Sequence, residues 1–183
     1  LLGERGVESV LTRDDDSFVP LVERINSAIA RQGALLVSVH ANGSRAAAAR
    51  GLEIYYATDV GVGDTQSGGL PPTVNAAERI LFARKGRTLA EAIGKAVAGD
   101  ASTVSRGTHA VRSPLLHHVP MPGVVVEVGV ITTADEEREL LTAERQEKLA
   151  LLLADGICDY LKVGGAPPTT PVVTPSAAEE IAP

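Results

Sequence analysis

Residues 122–131 read PGVVVEVGVI, a run of valines with one carboxylate, Glu127, set among them. A strand apolar at every position is buried on both faces, as at the centre of a parallel sheet covered by helices on each side. An ionised carboxylate in such a strand is costly. It needs a paired cation, a bound metal or a proton, or else a cleft to open into.

Working outward, the neighbouring segments supply the rest of such a sheet. ALLVSVH (34–40) and LEIYYA (52–57) read as strands, and ESVLTR (8–13) as a short one after the Arg5-Gly6 turn. In FVPLVERINSAIARQG (18–33), Leu21, Val22, Ile25 and Ile29 fall at helical spacing and Gly33 is the stop. Residues 73–99 read as a long helix with Gly86 as a break. Residues 134–162 read as helical with an interruption at Leu141 and Thr142, Thr142 suiting a fresh helix start. Asp14 to Asp16 suit a loop and helix cap rather than a metal-binding run. ANGSRAAAARG (41–51) and GVGDTQSGGLPP (61–72) read as loops. Strands alternating with helices predict an α/β domain: an open, mostly parallel (mixed) sheet with helices on both faces. One domain is expected over 1–163, followed by a disordered tail rich in Pro, Thr and Ala over 164–183.

Composition agrees and excludes some functions. The 183 residues are 44% hydrophobic but only 3% aromatic, so Ala, Val, Leu and Gly do the packing. A net charge of -6 argues against a nucleic-acid surface. No apolar run reaches the ~20 residues of a membrane span. The single Cys158 forms no internal disulfide and sits in an apolar helical pattern. No glycine-rich strand-to-helix loop marks a nucleotide site.

Ligands of open α/β sheets bind at the carboxyl ends of the strands. His40 ends one strand and Glu127 lies late in another, so both can reach one cleft. A neutral imidazole is a common zinc ligand, and a nearby carboxylate can act as general base. The blander alternatives are a hydrogen-bonded histidine at a strand end and a salt-bridged glutamate.

The words around these residues go further. VLTRDDDSFVPLVERINSAIARQGALLVSVHANGS, RGLEIYY and MPGVVVEVGVITTADEERELLTAERQEKLALLLADGICDYL, in that order, resemble the zinc-dependent N-acetylmuramoyl-L-alanine amidases of the Amidase_3 type, which cleave peptidoglycan. The resemblance implies a phosphorylase/hydrolase-like fold, a zinc ion with His40 as ligand, and Glu127 as catalytic glutamate. It implies hydrolysis of the amide between N-acetylmuramic acid and the L-alanine of the stem peptide, with peptidoglycan as partner and the cell envelope, periplasmic or extracellular, as location. Asn42, Arg106 and His117 become candidate substrate contacts. Arg106-Gly107 reads as a turn, and His117 and His118 alternatively as surface or strand-edge residues. Glu53 is expected to be structural or to support the site from behind.

The departures from the family pattern carry expectations of their own. The family's histidine-bearing G-H-G-G loop and the glutamate after it have no counterpart here, so the chain reads as N-terminally truncated. A catalytic zinc takes three protein ligands and the pattern supplies one. Weak activity or none is therefore expected, with a degenerate, non-catalytic wall-binding domain as the alternative. His109, His117 and His118 have no spacing that would rebuild the metal site. Gly129-Val130 stands where the family usually has Gly-Phe, and Thr132-Thr133 where it often has Ser-Asn, which alters the cleft wall.

Overall fold

The structure is a computed structural model that describes residues 1–46, 48–59 and 74–163. Among these residues four strands form one sheet: β1 (Leu36–Asn42), β2 (Leu52–Ala57), β3 (Ser105–Val111) and β4 (Gly123–Val130). Their order is β1-β4-β2-β3. β1 runs parallel to β4 and β2 parallel to β3, while β2 and β4 are antiparallel. The mixed, mostly parallel sheet is the expected one, with the valine strand β4 inside it.

Among the described residues five α-helices cover the sheet: α1 (Leu21–Ala30), α2 (Ala76–Ala98), α3 (Pro114–His118), α4 (Ala134–Leu140) and α5 (Ala143–Leu161). α2 and α5 lie on one face. Their Leu89, Ile93, Leu153 and Ile157 close on Leu52, Ile54, Val124 and Val126, one continuous core. α2 begins with a reciprocal cap, in which Glu78 N donates to Asn75 Oδ1 (3.0 Å) and Asn75 N to Glu78 Oε2 (3.2 Å). Among the described residues, the opposite face is covered only at one end. There Leu116 of α3 packs with Ala57, and Ile25 of α1 packs with Val119 and Met121.

Gly86 does not break α2. It lets the helix rest on the first residue of β4, since a Cβ there would come 2.8 Å from Gly123 O. Gly156 does the same between α5 and α2, where a Cβ would stand 2.4 Å from Ile93 Cα. The interruption at 141–142 is real. Thr142 caps α5, its side chain accepting from Arg145 N.

Three expectations fail. Residues 8–13 form no strand: β1 is an outer strand, the segment pairs with none, and Val10 and Leu11 stay exposed. The aspartates do not cap α1, whose N-cap is Pro20. Asp15 instead accepts from Ser17 N in a local turn. Arg106-Gly107 is not a turn but part of β3, a strand too polar to show in the pattern. α3 was also unread, although Ser113 before Pro114 is a helix start. The expected loop 61–72 and tail 164–183 lie outside the described residues.

Candidate active site

Register builds the site. His40 of β1 lies opposite Glu127 of β4, and Glu127 lies opposite Glu53 of β2. Residues paired across strands share a face. One imidazole and two carboxylates therefore form a row across three strands, on the face that α2 and α5 leave free. Because β2 runs against β4, its beginning sits beside the late part of β4. Tyr55 and Val125 form the next row, with His109 beside Tyr55. An open cavity of about 280 Å³ is lined by Asn42, Tyr55, Val111, Ser113, Val125 and Glu127.

The two carboxylates live in different surroundings. Glu127 Oε2 is buried and finds no hydrogen-bond partner among the described residues. Burial pushes its carboxyl above the usual range, the charge of His40 opposing this and that of Glu53 adding to it. Glu53 is well supplied. Arg106 Nε donates to Oε1 (2.6 Å), while the Tyr55 hydroxyl (2.7 Å) and Asn42 Nδ2 (3.3 Å) donate to Oε2. Burial works against its ionised form, but the Tyr55 and Arg106 hydrogen bonds and the Arg106 charge outweigh it and hold the carboxyl below the usual range.

Two irregularities make these contacts. The β1–β4 register shifts between His40 and Asn42, which re-aims Asn42 toward Glu53. The β2–β3 register shifts between Leu52 and Ile54, placing Arg106 against Glu53. Gly107, with φ +92°, supplies the backbone turn that this second shift needs.

A catalytic zinc ion takes three protein ligands. Among the described residues no three His, Cys, Asp or Glu converge as metal ligands. His40 is one imidazole, with Nε2 at 3.0 Å from Ser38 Oγ. The orphaned Glu127 oxygen is one carboxylate atom, and both oxygens of Glu53 are engaged. These residues do not by themselves form a zinc site.

The Amidase_3 family, N-acetylmuramoyl-L-alanine amidase, matches residues 1–159. The chain belongs to this amidase family. LytC, an N-acetylmuramoyl-L-alanine amidase of Bacillus subtilis, is 30% identical over 161 residues, covering 88% of this chain and 28% of LytC. AmiA of Escherichia coli, named for the same activity, is 27% identical over 182 residues, covering 87% of this chain and 63% of AmiA. The chain thus spans less than two thirds of either relative. Among solved structures, the AmiC2 amidase of Nostoc punctiforme superposes with a TM-score of 0.70 at 29% identity, over 88% of this chain and 76% of that one. The catalytic domain of CwlV from Bacillus (Paenibacillus) polymyxa gives 0.69 at 29% identity, over 86% and 74%.

Within this amidase fold the remaining candidates separate. Asn42 lines the cavity, whereas Arg106 is not in its lining and is tied to Glu53. His117 is corrected: it is 1% exposed, with Nδ1 at 2.8 Å from Ser113 O and Nε2 at 3.2 Å from Thr58 O. It braces α3 against the end of β2 and is not presented to a ligand. His118, also buried, is no surface residue either. The threonines that replace the family's Ser-Asn brace the loop after β1. Ser44 N donates to Thr132 Oγ1, Thr132 Oγ1 lies 2.9 Å from Ser44 O, and Thr133 Oγ1 donates to Ala49 O.

Two further features escaped sequence reading. Tyr55 shapes the cavity, and the signal for it was the two-residue spacing from Glu53 in LEIYYA, which puts both on one face. Glu136 of α4 is a buried clamp, its Oε1 accepting from Gly51 N (2.7 Å) and its Oε2 from Val130 N (2.8 Å). Gly129 is small enough to let it pass, as a Cβ there would lie 3.2 Å from Glu136 Cδ.

Proposed function

We propose that this chain is the hydrolase domain of a peptidoglycan amidase, acting on the amide between N-acetylmuramic acid and the L-alanine of the stem peptide. It would work outside the cytoplasm, at the cell envelope. The observation that carries the reading is the row of His40 and Glu127 at the open rim of the sheet, in a chain matched to the amidase family over residues 1–159.

Glu127 is the general base. Burial without a partner brings its carboxyl toward neutrality, where proton transfer in both directions is efficient. It takes the proton of a water attacking the carbonyl carbon. As the C–N bond breaks, it returns that proton to the leaving nitrogen, giving a carboxylic acid and an amine. Asn42 is a substrate contact in the same cavity. Arg106 acts through Glu53. A zinc ion in such an enzyme supplies Lewis-acid polarisation. His40 would be one of the three protein ligands it takes.

Purified peptidoglycan sacculi test this reading. The chain should sediment with them and, because the described residues supply only one zinc ligand, release stem peptides carrying a free L-alanine amino terminus only slowly even with Zn²⁺ in excess. Glu127→Gln should sediment equally and release at least 10²-fold less. Sedimentation without release by either protein would favour the non-catalytic wall-binding domain, which draws on the incomplete ligand set among the described residues. Failure to sediment would reject both readings.

A further inference from the structure

We propose that Glu53 is a positioning residue of this site: it gathers Asn42, Tyr55 and Arg106, from β1, β2 and β3, into a fixed wall that presents a peptide-amide recognition pair to the cavity beside Glu127.

The geometry is that of a hub. Glu53 is 8% exposed, and a buried carboxylate is tolerated only with donors around it. Its three donors come from three strands, and the link to β1 passes across β4 at the level of Glu127. An ionised carboxylate only accepts, so it dictates the polarity of everything it touches. The Tyr55 hydroxyl must give its proton to Glu53, which leaves only lone pairs for the cavity. Asn42 must turn its amino group to Glu53, and its other end confirms this, because Gly43 N donates to Asn42 Oδ1 (2.7 Å). The second N–H of that amino group remains for a ligand.

A ligand group at this wall therefore meets a donor at Asn42 and an acceptor at Tyr55. A peptide amide offers the complement, a carbonyl and an N–H on one planar unit. Burial and then the Glu53 hydrogen bond push the Tyr55 phenol up to about 12, so the pattern holds across the whole neutral range. The inference deepens the hydrolase reading, and its ligand arm rests on it. The positioning itself stands without substrate.

Two measurements separate the parts. In stopped-flow jumps to a series of pH values between 9 and 12, tyrosines ionise before the chain can unfold. Burial of Tyr55 remains in Glu53→Gln, so its tyrosinate, identified as the signal lost in Tyr55→Phe, should still appear above the ordinary range but at lower pH than in wild type. A Tyr55 signal unmoved by Glu53→Gln overturns the hub. Should Glu53→Gln fail to fold, the Arg106 Nε–H of the wild-type chain is read by NMR. Exchange at least tenfold slower than that of the exposed arginines supports the hub, and exchange at their rate overturns it. For the ligand arm, N-acetylmuramoyl-L-alanyl-D-isoglutamine is titrated calorimetrically into Glu127→Gln, with and without Glu53→Gln. Binding about tenfold weaker with Glu53→Gln is expected, and equal affinity overturns the recognition pair. Absence of binding to Glu127→Gln itself refutes the hydrolase reading, while the tyrosine measurement still judges the hub.

Discussion

Glu127 and Glu53 are the same residue type one strand apart, and their surroundings give them opposite characters. The desolvated Glu127, with an orphaned oxygen, is a local cost to the fold. Glu127→Gln should therefore melt higher than wild type at pH 7, by about 1 kcal/mol or roughly 3 °C in a scanning experiment. An unchanged or lower melting temperature would contradict the orphaned oxygen. Glu53 has the opposite sign. Its carboxyl is held below the usual range, so the unfolded chain binds its proton more readily than the folded one. The stabilisation is fully present above the ordinary carboxylate value, about pH 4.3, and is lost as pH falls from there through the lower value of the folded chain. Between pH 7 and pH 3, wild type should lose more stability than Glu53→Gln. Other depressed carboxyls, such as Asp15 and Asp100, are common to both proteins and cancel, and making the comparison in a Glu127→Gln background removes the coupling of Glu127 to Glu53.

At the scale of elements, the contacts that set helix positions are backbone approaches rather than large side chains. Gly156→Ala places a Cβ against the backbone of Ile93, where nothing can yield, and should cost about 3 kcal/mol in denaturant unfolding. Gly3→Ala, with nothing within 4 Å, should be silent in the same measurement. Thr142→Ala removes the cap of α5 and should cost about 1 kcal/mol. The sequence was informative where a pattern has one physical meaning. The valine run could only be an interior strand, and Thr142 after an apolar repeat could only restart a helix. It was silent about β3, whose Ser-Arg-Gly-Thr-His carries no period because its exposed edge asks for none. It misread His117 because burial of an imidazole depends on two carbonyls, Thr58 O being distant in the chain. His40 and Glu127 were legible as strand-end residues. Their alignment with Glu53 was not, since only the antiparallel placement of β2 brings that carboxylate level with them.

For the whole molecule, both flanks of the described sheet end in largely exposed strands, β1 and β3. β1 is an outer strand, and Val39 on it is 54% exposed because the layer of α2 and α5 runs out before reaching it. Phe18 and Leu11 are exposed as well. Among the described residues nothing pairs with the outer edge of β1, and an unpaired strand edge carrying an exposed valine favours association between copies. Light scattering should show concentration-dependent growth in mass for wild type and less of it for Val39→Lys, with unchanged helix content by circular dichroism.

The Glu136 clamp has a consequence for how such a domain can vary. One carboxylate fastens both the residue just before β2 and the last residue of β4, so the strands bearing Glu53 and Glu127 are registered by a helix that contributes nothing to the chemistry. Residues 43–50 can then differ in composition without disturbing the spacing of the two acids. Gly51, Gly129 and Glu136 have no such freedom: any transplant of this cleft into another scaffold must carry the three together.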